Sequence, residues 1–261
     1  MTIVAVCEAG GTSASTTTSL LLAALLPPTH PSFMIECDPA GGDVAAWAQL
    51  PVAPGWSTAV SGTDRNWSAI IDHSQELPSG LRVMTVPARP SQARAAVSEA
   101  ASGFSGLLSV IPDAVAIADC GRVELEAPLW ARASQLTLLL IRQATVSAQA
   151  TVARVDRTIE ALEVLRGSCR QVGVVLIGGS PYPASEVSKA LGVELFGVLP
   201  EDAVGAGLVC GAWTVGRRAA RSPLARAAGP LGARVIEVVY GRGHRFDPST
   251  AGATSESSVT R

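Results

Sequence analysis

Short apolar runs recur at residues 3–7, 33–37, 81–86, 115–119, 136–141, 172–177 and 194–199. They are continuous rather than alternating, which is the pattern of strands buried on both faces. Helix-period segments separate most of them, at 16–26, 92–101, 147–165 and 185–191. Strands alternating with helices predict an α/β fold: a doubly wound, mainly parallel sheet flanked by helices, with ligands at the carboxyl ends of the strands. Residues 51–80 carry Trp56, Trp67 and several turn residues, and read as an insertion or as short irregular helices over one sheet edge. Residues 223–240 read as a last helix, broken or kinked near Gly229-Pro230. From Gly241 the chain turns to Gly, Ser, Thr and charge, the composition of a disordered tail. Residues 1–240 therefore read as one domain and 241–261 as its tail.

Composition narrows the setting. The chain has 261 residues and a net charge of −2, so bulk electrostatics selects neither nucleic acid nor an anionic membrane. Five cysteines (Cys7, Cys37, Cys120, Cys169 and Cys210) form no CxxC pair and no short disulfide framework, and read as reduced thiols of a cytoplasmic protein. No apolar stretch approaches the roughly 20 residues of a membrane span. His30, His73 and His244 are scattered and suggest no metal site.

The first strand runs into Glu8-Ala9-Gly10-Gly11-Thr12-Ser13-Ala14-Ser15-Thr16-Thr17-Thr18-Ser19, and a helix follows. Strand, Gly-rich turn, hydroxyl cluster and helix are the layout of a phosphate-binding loop. Glycines let backbone amides converge on a phosphate, and the helix N-terminus adds partial positive charge. Thr16 or Thr17 can present a hydroxyl to Mg²⁺. The loop holds no lysine; the single lysine of the chain is Lys189, against nineteen arginines. One charged hydrogen bond to phosphate is worth about 1.5–3 kcal/mol, roughly ten- to a hundredfold in affinity. Nucleotide binding can survive that loss in weakened form. Hydrolysis suffers more, because phosphoryl transfer rests on positioning and charge stabilisation. The bland alternative is a Gly/Ser/Thr turn that caps a helix.

Acidic groups stand near two strand ends on the same predicted rim. The second strand ends in Glu36-Cys37-Asp38-Pro39-Ala40-Gly41-Gly42-Asp43 and the run at 115–119 in Ala118-Asp119-Cys120-Gly121-Arg122. Carboxylates there can hold Mg²⁺ through water or orient an attacking water. Asp119 and Asp38 are favoured for such roles. Glu36 is either a partner in them or the mate of an arginine. Asp43 reads as the N-cap of the next helix. Arg122 either replaces a loop lysine or, the favoured reading, pairs with Glu124 or Glu126.

These three segments, in this order, resemble the deviant-Walker ATPases of the MinD/ParA family. The family loop, GKGGVGKTTTS, aligns its end on Thr16-Thr17-Thr18-Ser19. Ala9 then stands at the first glycine, Gly10 at the signature lysine, Ala14 at the last glycine and Ser15 at the loop lysine. Asp38-Pro39-Ala40-Gly41-Gly42 is similar to the family's DxDPxGN segment, with Glu36 at the first aspartate. Asp119 matches the Walker B aspartate. Gly197-Val198-Leu199-Pro200-Glu201-Asp202 resembles GVIPED beside the adenine pocket, and the base-reading asparagine is absent.

The resemblance implies a single MinD/ParA-like nucleotide-binding domain over 1–240. ATP or ADP with Mg²⁺ would contact Gly10, Gly11, Thr12, Ser13, Ala14, Ser15, Thr16, Thr17, Pro200, Glu201 and Asp202. Thr16, Asp119 and Asp38 would serve the metal, with Asp38 and Glu36 catalytic. It also implies a homodimer and a protein partner in a pilus, secretion, conjugation, division or partition system. The missing lysines look like those of degenerate TadZ/CpaE-type members and point to weak or impaired hydrolysis. Two other outcomes remain open: a pseudo-ATPase scaffold, and a DNA-associated partitioning ATPase using Arg217, Arg218, Arg221 and Arg226. A solvated helix face is the favoured reading of those arginines. A MinD-type membrane anchor is a C-terminal basic amphipathic helix, which the Ser/Thr/Gly-rich end does not resemble.

Overall fold

The computed structural model describes residues 2–10, 14–27, 30–109, 114–143, 147–211 and 221–241. Gly11, Thr12, Ser13, Arg217, Arg218 and the expected tail beyond Gly241 lie outside them.

The strands are β1 (Thr2–Glu8), β2 (Ser32–Glu36), β3 (Gln75–Glu76), β4 (Arg82–Met84), β5 (Val115–Arg122), β6 (Leu136–Arg142), β7 (Val172–Ile177) and β8 (Leu195–Leu199). They form one sheet in the order β3-β4-β2-β5-β1-β6-β7-β8, parallel throughout except for the β3–β4 pair at the edge. The helices are α1 (Ser15–Leu25), α2 (Val44–Trp47), α3 (Trp56–Ser61), α4 (Trp67–His73), α5 (Pro90–Ser109), α6 (Leu129–Ala133), α7 (Ala148–Arg166), α8 (Ala184–Leu191), α9 (Ala203–Gly211) and α10 (Pro223–Tyr240).

Strand alternation divides the apolar runs between two cores. Ile3, Ala5 and Cys7 face one that includes α3, α5, α6 and the buried side of α7. Val4 and Val6 face the other, with Leu20–Leu22 of α1 and Leu224, Leu231 and Val235 of α10. Both faces are covered, which is why the strands read as unbroken apolar runs. The helix after β1 covers one face and the helix after β6 the other. A crevice therefore opens at the carboxyl ends of these two adjacent strands.

Several elements differ from the sequence expectation. Helix α5 runs eight residues past 101, through Gly103 and Gly106, because Phe104 and Leu108 are fully buried and hold it on the core. Helix α10 runs as one element through Pro230, without the break that was one of its two expected forms. Its Ala228, Leu231 and Val235 pack in the same core and offset the missing backbone donor. Residues 51–80 do form short helices, plus edge strand β3. Trp56 is their anchor, fully buried with its ring centroid 5.5 Å from those of both Phe104 and Trp130. No helix among the described residues is long and apolar enough to cross a membrane.

Candidate functional site

Strand β5 positions the centre of the site. It does not end at Asp119 but continues to Arg122, with a shift in its pairing with β1: Val6 faces Asp119, Cys7 faces Gly121 and Glu8 faces Arg122. Cys120 is the extra residue, and such irregularities re-aim side chains at strand ends. Asp119 is buried, and the hydroxyls of Thr16 and Ser15 in the first turn of α1 lie near enough to pull its pKa down. The Gly121 amide approaches its Oδ1 at 3.4 Å. Burial pushes the Asp119 carboxyl up to about 6; the two hydroxyls oppose that rise and the Asp38 charge adds to it.

Asp38 follows β2 and turns back on itself, its Oδ1 accepting the Ala40 amide at 2.7 Å. Its carboxylate lies over Gly121, where the backbone has φ +63° and a Cβ would overlap it. Burial raises the Asp38 pKa, the Ala40 amide opposes that rise, and Glu8, Asp43 and Glu124 add to it. Asp38 and Asp119 thus lie near one another, with Asp119 under the first turn of α1.

Glu36 behaves differently from the catalytic group expected of it. Its Oε1 accepts the amides of Asp43 and Val44, both at 2.9 Å, and its Oε2 accepts Val86 at 3.1 Å. Both oxygens are committed to backbone, and no arginine pairs with it among the described residues. Asp43 stands at the start of α2 but its side chain makes no cap. Glu36 reaches across and caps the helix instead. Burial pushes Glu36 up to about 7 against the pull of these three amides. Gly42 leaves room for it, since a Cβ there would stand 2.5 Å from Oε2.

At the Gly loop, Ala14 precedes α1 and offers no capping side chain. The Glu8 carboxylate supplies the cap, with Oε2 3.2 Å from the Ala14 amide. Sequence reasoning missed this role, because Glu8 belongs to β1 and Ala14, six residues on, to the start of α1. Gly10 has φ +118°, and a Cβ on it would stand 2.7 Å from Nη2 of Arg122. The guanidinium therefore rests against Gly10, and Arg122 forms no ion pair with Glu124 or Glu126 among the described residues. The favoured sequence reading of Arg122 as a surface pair is corrected. Arg142, Arg154 and Arg157, from β6 and α7, line a small recess with Ala9 and Gly10. The positive charge missing from the loop is thus present beside it, on other elements, and sequence spacing gave no sign of this.

The remaining predicted contacts are dispersed. Thr17 pairs with Cys210 of α9 at 3.1 Å rather than turning to Asp119. Asp202 accepts Gly205 N at 2.8 Å and Leu224 N at 3.3 Å, tying α9 to α10. Glu201 lies 3.5 Å from Nε of Arg142, without hydrogen-bond geometry. Pro200, Glu201 and Asp202 form one wall, and Ala14, Thr17 and Thr18 the other, of a cavity of about 130 Å³. That is smaller than the roughly 300–1,000 Å³ of typical small-molecule sites. Arg221 and Arg226 are exposed around the start of α10, as a solvated helix face would be.

The donors near Asp119 suit a hard cation, since hydroxyl and carboxylate oxygens with water are what Mg²⁺ takes. No cluster of three or more His, Cys, Asp or Glu among the described residues forms a metal cage. A Mg²⁺ ion here would need Thr16, water and an incoming anion as well. A triphosphate fits less well, because the Ala14 amide is already occupied by a carboxylate.

No protein-family model matches the sequence, and no curated protein matches it. Solved structures do. A ParA family ATPase from Chlorobium tepidum TLS superposes with a TM-score of 0.69 at 14% identity, covering 89% of this chain and 97% of that one. The septum site-determining protein MinD of Pyrococcus horikoshii OT3, complexed with Mg-ADP, gives 0.69 at 14%, covering 91% and 96%. Cobyrinic acid a,c-diamide synthase from Mycobacterium smegmatis, with bound ATP analogue and magnesium, gives 0.59 at 15%, covering 95% and 99%. The chain has the MinD/ParA-like fold. At these identities the likeness is one of fold.

Proposed function

We propose that this chain acts in the spatial positioning or assembly of a partner machine of the pilus, secretion, conjugation or division kind. In this reading it binds Mg-ATP or Mg-ADP weakly and hydrolyses ATP slowly at best. The observation that carries the reading is the meeting of Ser15, Thr16 and Asp119 at the mouth of the Gly loop, with Asp38 beside them. A helix cap alone does not require a buried aspartate under its first turn. Support also comes from the fold shared with ParA and MinD structures.

In this reading the Thr16 hydroxyl and, through water, Asp119 would hold Mg²⁺. Asp38, anchored in its turn, orients a water toward the phosphate. Glu36 positions: it ties the amides of Asp43, Val44 and Val86 together and touches no ligand. Arg122 replaces lysine as the cation at Gly10, a substitution its planar guanidinium suits. Mg²⁺ supplies charge neutralisation when bound. Without loop lysines the charge that builds on a transferring phosphoryl is poorly met, so turnover is slow. A homodimer across the loops is part of the proposal, and its dependence on nucleotide is measurable by light scattering.

Calorimetric titration with Mg-ATP tests the reading. Thr16→Ala and Asp119→Asn are expected to lose detectable binding. Arg122→Ala should bind roughly ten- to a hundredfold more weakly, the worth of one charged contact. Lys189→Ala, on α8, should bind as the unaltered protein does. Unchanged affinity in both Thr16→Ala and Asp119→Asn would sink the proposal. A second reading, a scaffold without nucleotide function, is favoured by the contact between Glu8 and Ala14. Sustained hydrolysis that disappears in Asp38→Ala would exclude it.

A further inference from the structure

A helix N-terminus draws anions because its first amides lack partners and carry partial positive charge. In this chain that place is taken from within. Glu8 is buried at the end of β1, and its Oε2 accepts the amide of Ala14, the residue that opens α1. Ala14 itself has no side-chain oxygen to offer this cap. The carboxylate therefore gains there what an incoming phosphate would gain. Its charge also reaches Asp38, whose proton affinity it raises. A nucleotide approaching the loop meets Glu8, Asp38 and Asp119 together, and Arg122 against Gly10 is the cation nearest that residue's missing side chain.

We infer that Glu8 is a resident anion that holds the phosphate seat of the loop, and that it, beyond the missing lysines, keeps nucleotide affinity low. The inference rests on the reading of the start of α1, at Ala14 to Thr16, as a phosphate site. Glu8 acts as a specificity-determining group. A ligand with two or three phosphates must displace the carboxylate from the Ala14 amide or lie against it as a like charge. A ligand without phosphate is indifferent to it. Two substitutions separate the components. Glu8→Gln keeps an oxygen for the Ala14 amide and removes the charge; Glu8→Ala removes both.

The full chain, in its unaltered form and as Glu8→Gln, Glu8→Ala and Glu8→Ala/Thr16→Ala, is titrated with Mg-ATP, Mg-ADP and adenosine, with circular dichroism confirming the fold. Removing a like charge and freeing an amide is expected to tighten Mg-ATP at least about tenfold, the scale of one charged contact. Adenosine affinity should not change, and the gain should vanish in the double variant. If Glu8→Ala fails to fold, Glu8→Gln, which retains the cap, decides alone. Mg-ATP affinities within twofold of the unaltered protein, with that protein binding, would overturn the role of Glu8 and leave the phosphate site standing. An equal gain for adenosine would also overturn it, as a merely loosened pocket. No binding by any of the proteins up to millimolar nucleotide would overturn both the inference and the phosphate site.

Discussion

Glu36→Ala is expected to lower the unfolding free energy by about 3 kcal/mol, because buried amides left without an acceptor cost about 1–3 kcal/mol each. Three amides lose theirs, those of Asp43, Val44 and Val86. Part of the loss is offset, since a carboxyl that resists ionisation is no longer buried. The loop that carries Asp38 runs from Glu36 to Asp43, so its ends lose their tether at the same time. Glu36→Gln isolates the charge. The folded protein holds the Glu36 proton up to about 7, whereas the ordinary carboxyl value is 4.5. Between those values the folded state binds more protons than the unfolded state, so stability falls as pH rises and levels off above the window. Urea unfolding at several pH values should therefore show the unaltered protein losing on the order of 3 kcal/mol relative to Glu36→Gln from pH 4.5 to 7. Asp119, raised to about 6, adds a fall of the same sign in both proteins. Parallel curves would show that Glu36 is ionised in the native state throughout.

Gly121→Val is the second large effect. The backbone there has φ +63°, and the first side-chain carbon would overlap the Asp38 carboxylate. The left-handed conformation costs roughly 1–2 kcal/mol for a residue with a Cβ, and overpacking typically costs about 1–3 kcal/mol more. A total of about 2–5 kcal/mol is expected from urea unfolding. Gly80 provides the control, having φ +84° with no atom within 4 Å of the point a Cβ would occupy. Gly80→Val should show the conformational cost alone. Equal losses at the two positions would mean that Asp38 yields without resistance. If instead Asp38 is forced from its turn, carboxyl NMR titration should find the Asp119 pKa lower, because a neighbouring charge has moved away.

Much of the fold is legible in the chain, for a physical reason. Strands buried on both faces must be apolar at every position, so 136–141 and 172–177 announce themselves. Helix α9 does not, because its Ala, Gly and Val residues carry no helical period. Strand β3, two residues at an edge, is too short to leave a pattern. At the site, the acidic rim is readable because Asp119 and Asp38 end apolar runs that must lie side by side. The roles of Glu8, Glu36 and Arg122 are not. Glu8 closes on an amide six residues away, and Glu36 on one fifty residues away. The fate of Arg122 is decided by the extra residue Cys120. That residue sets Gly121 opposite Cys7 and Arg122 opposite Glu8, and no spacing rule reveals a bulge.

The indole of Trp56 donates to the Glu36 carbonyl at 3.0 Å and packs at a tilt against Phe104 and Trp130 in the core. The residue that anchors the candidate site is thus wired to a chromophore. Ligand capture that shifts the segment between Glu36 and Asp43 should change the emission of Trp56 and its exchange of excitation with Trp130. The protein carries an optical gauge of its own site, readable in dilute solution without a label.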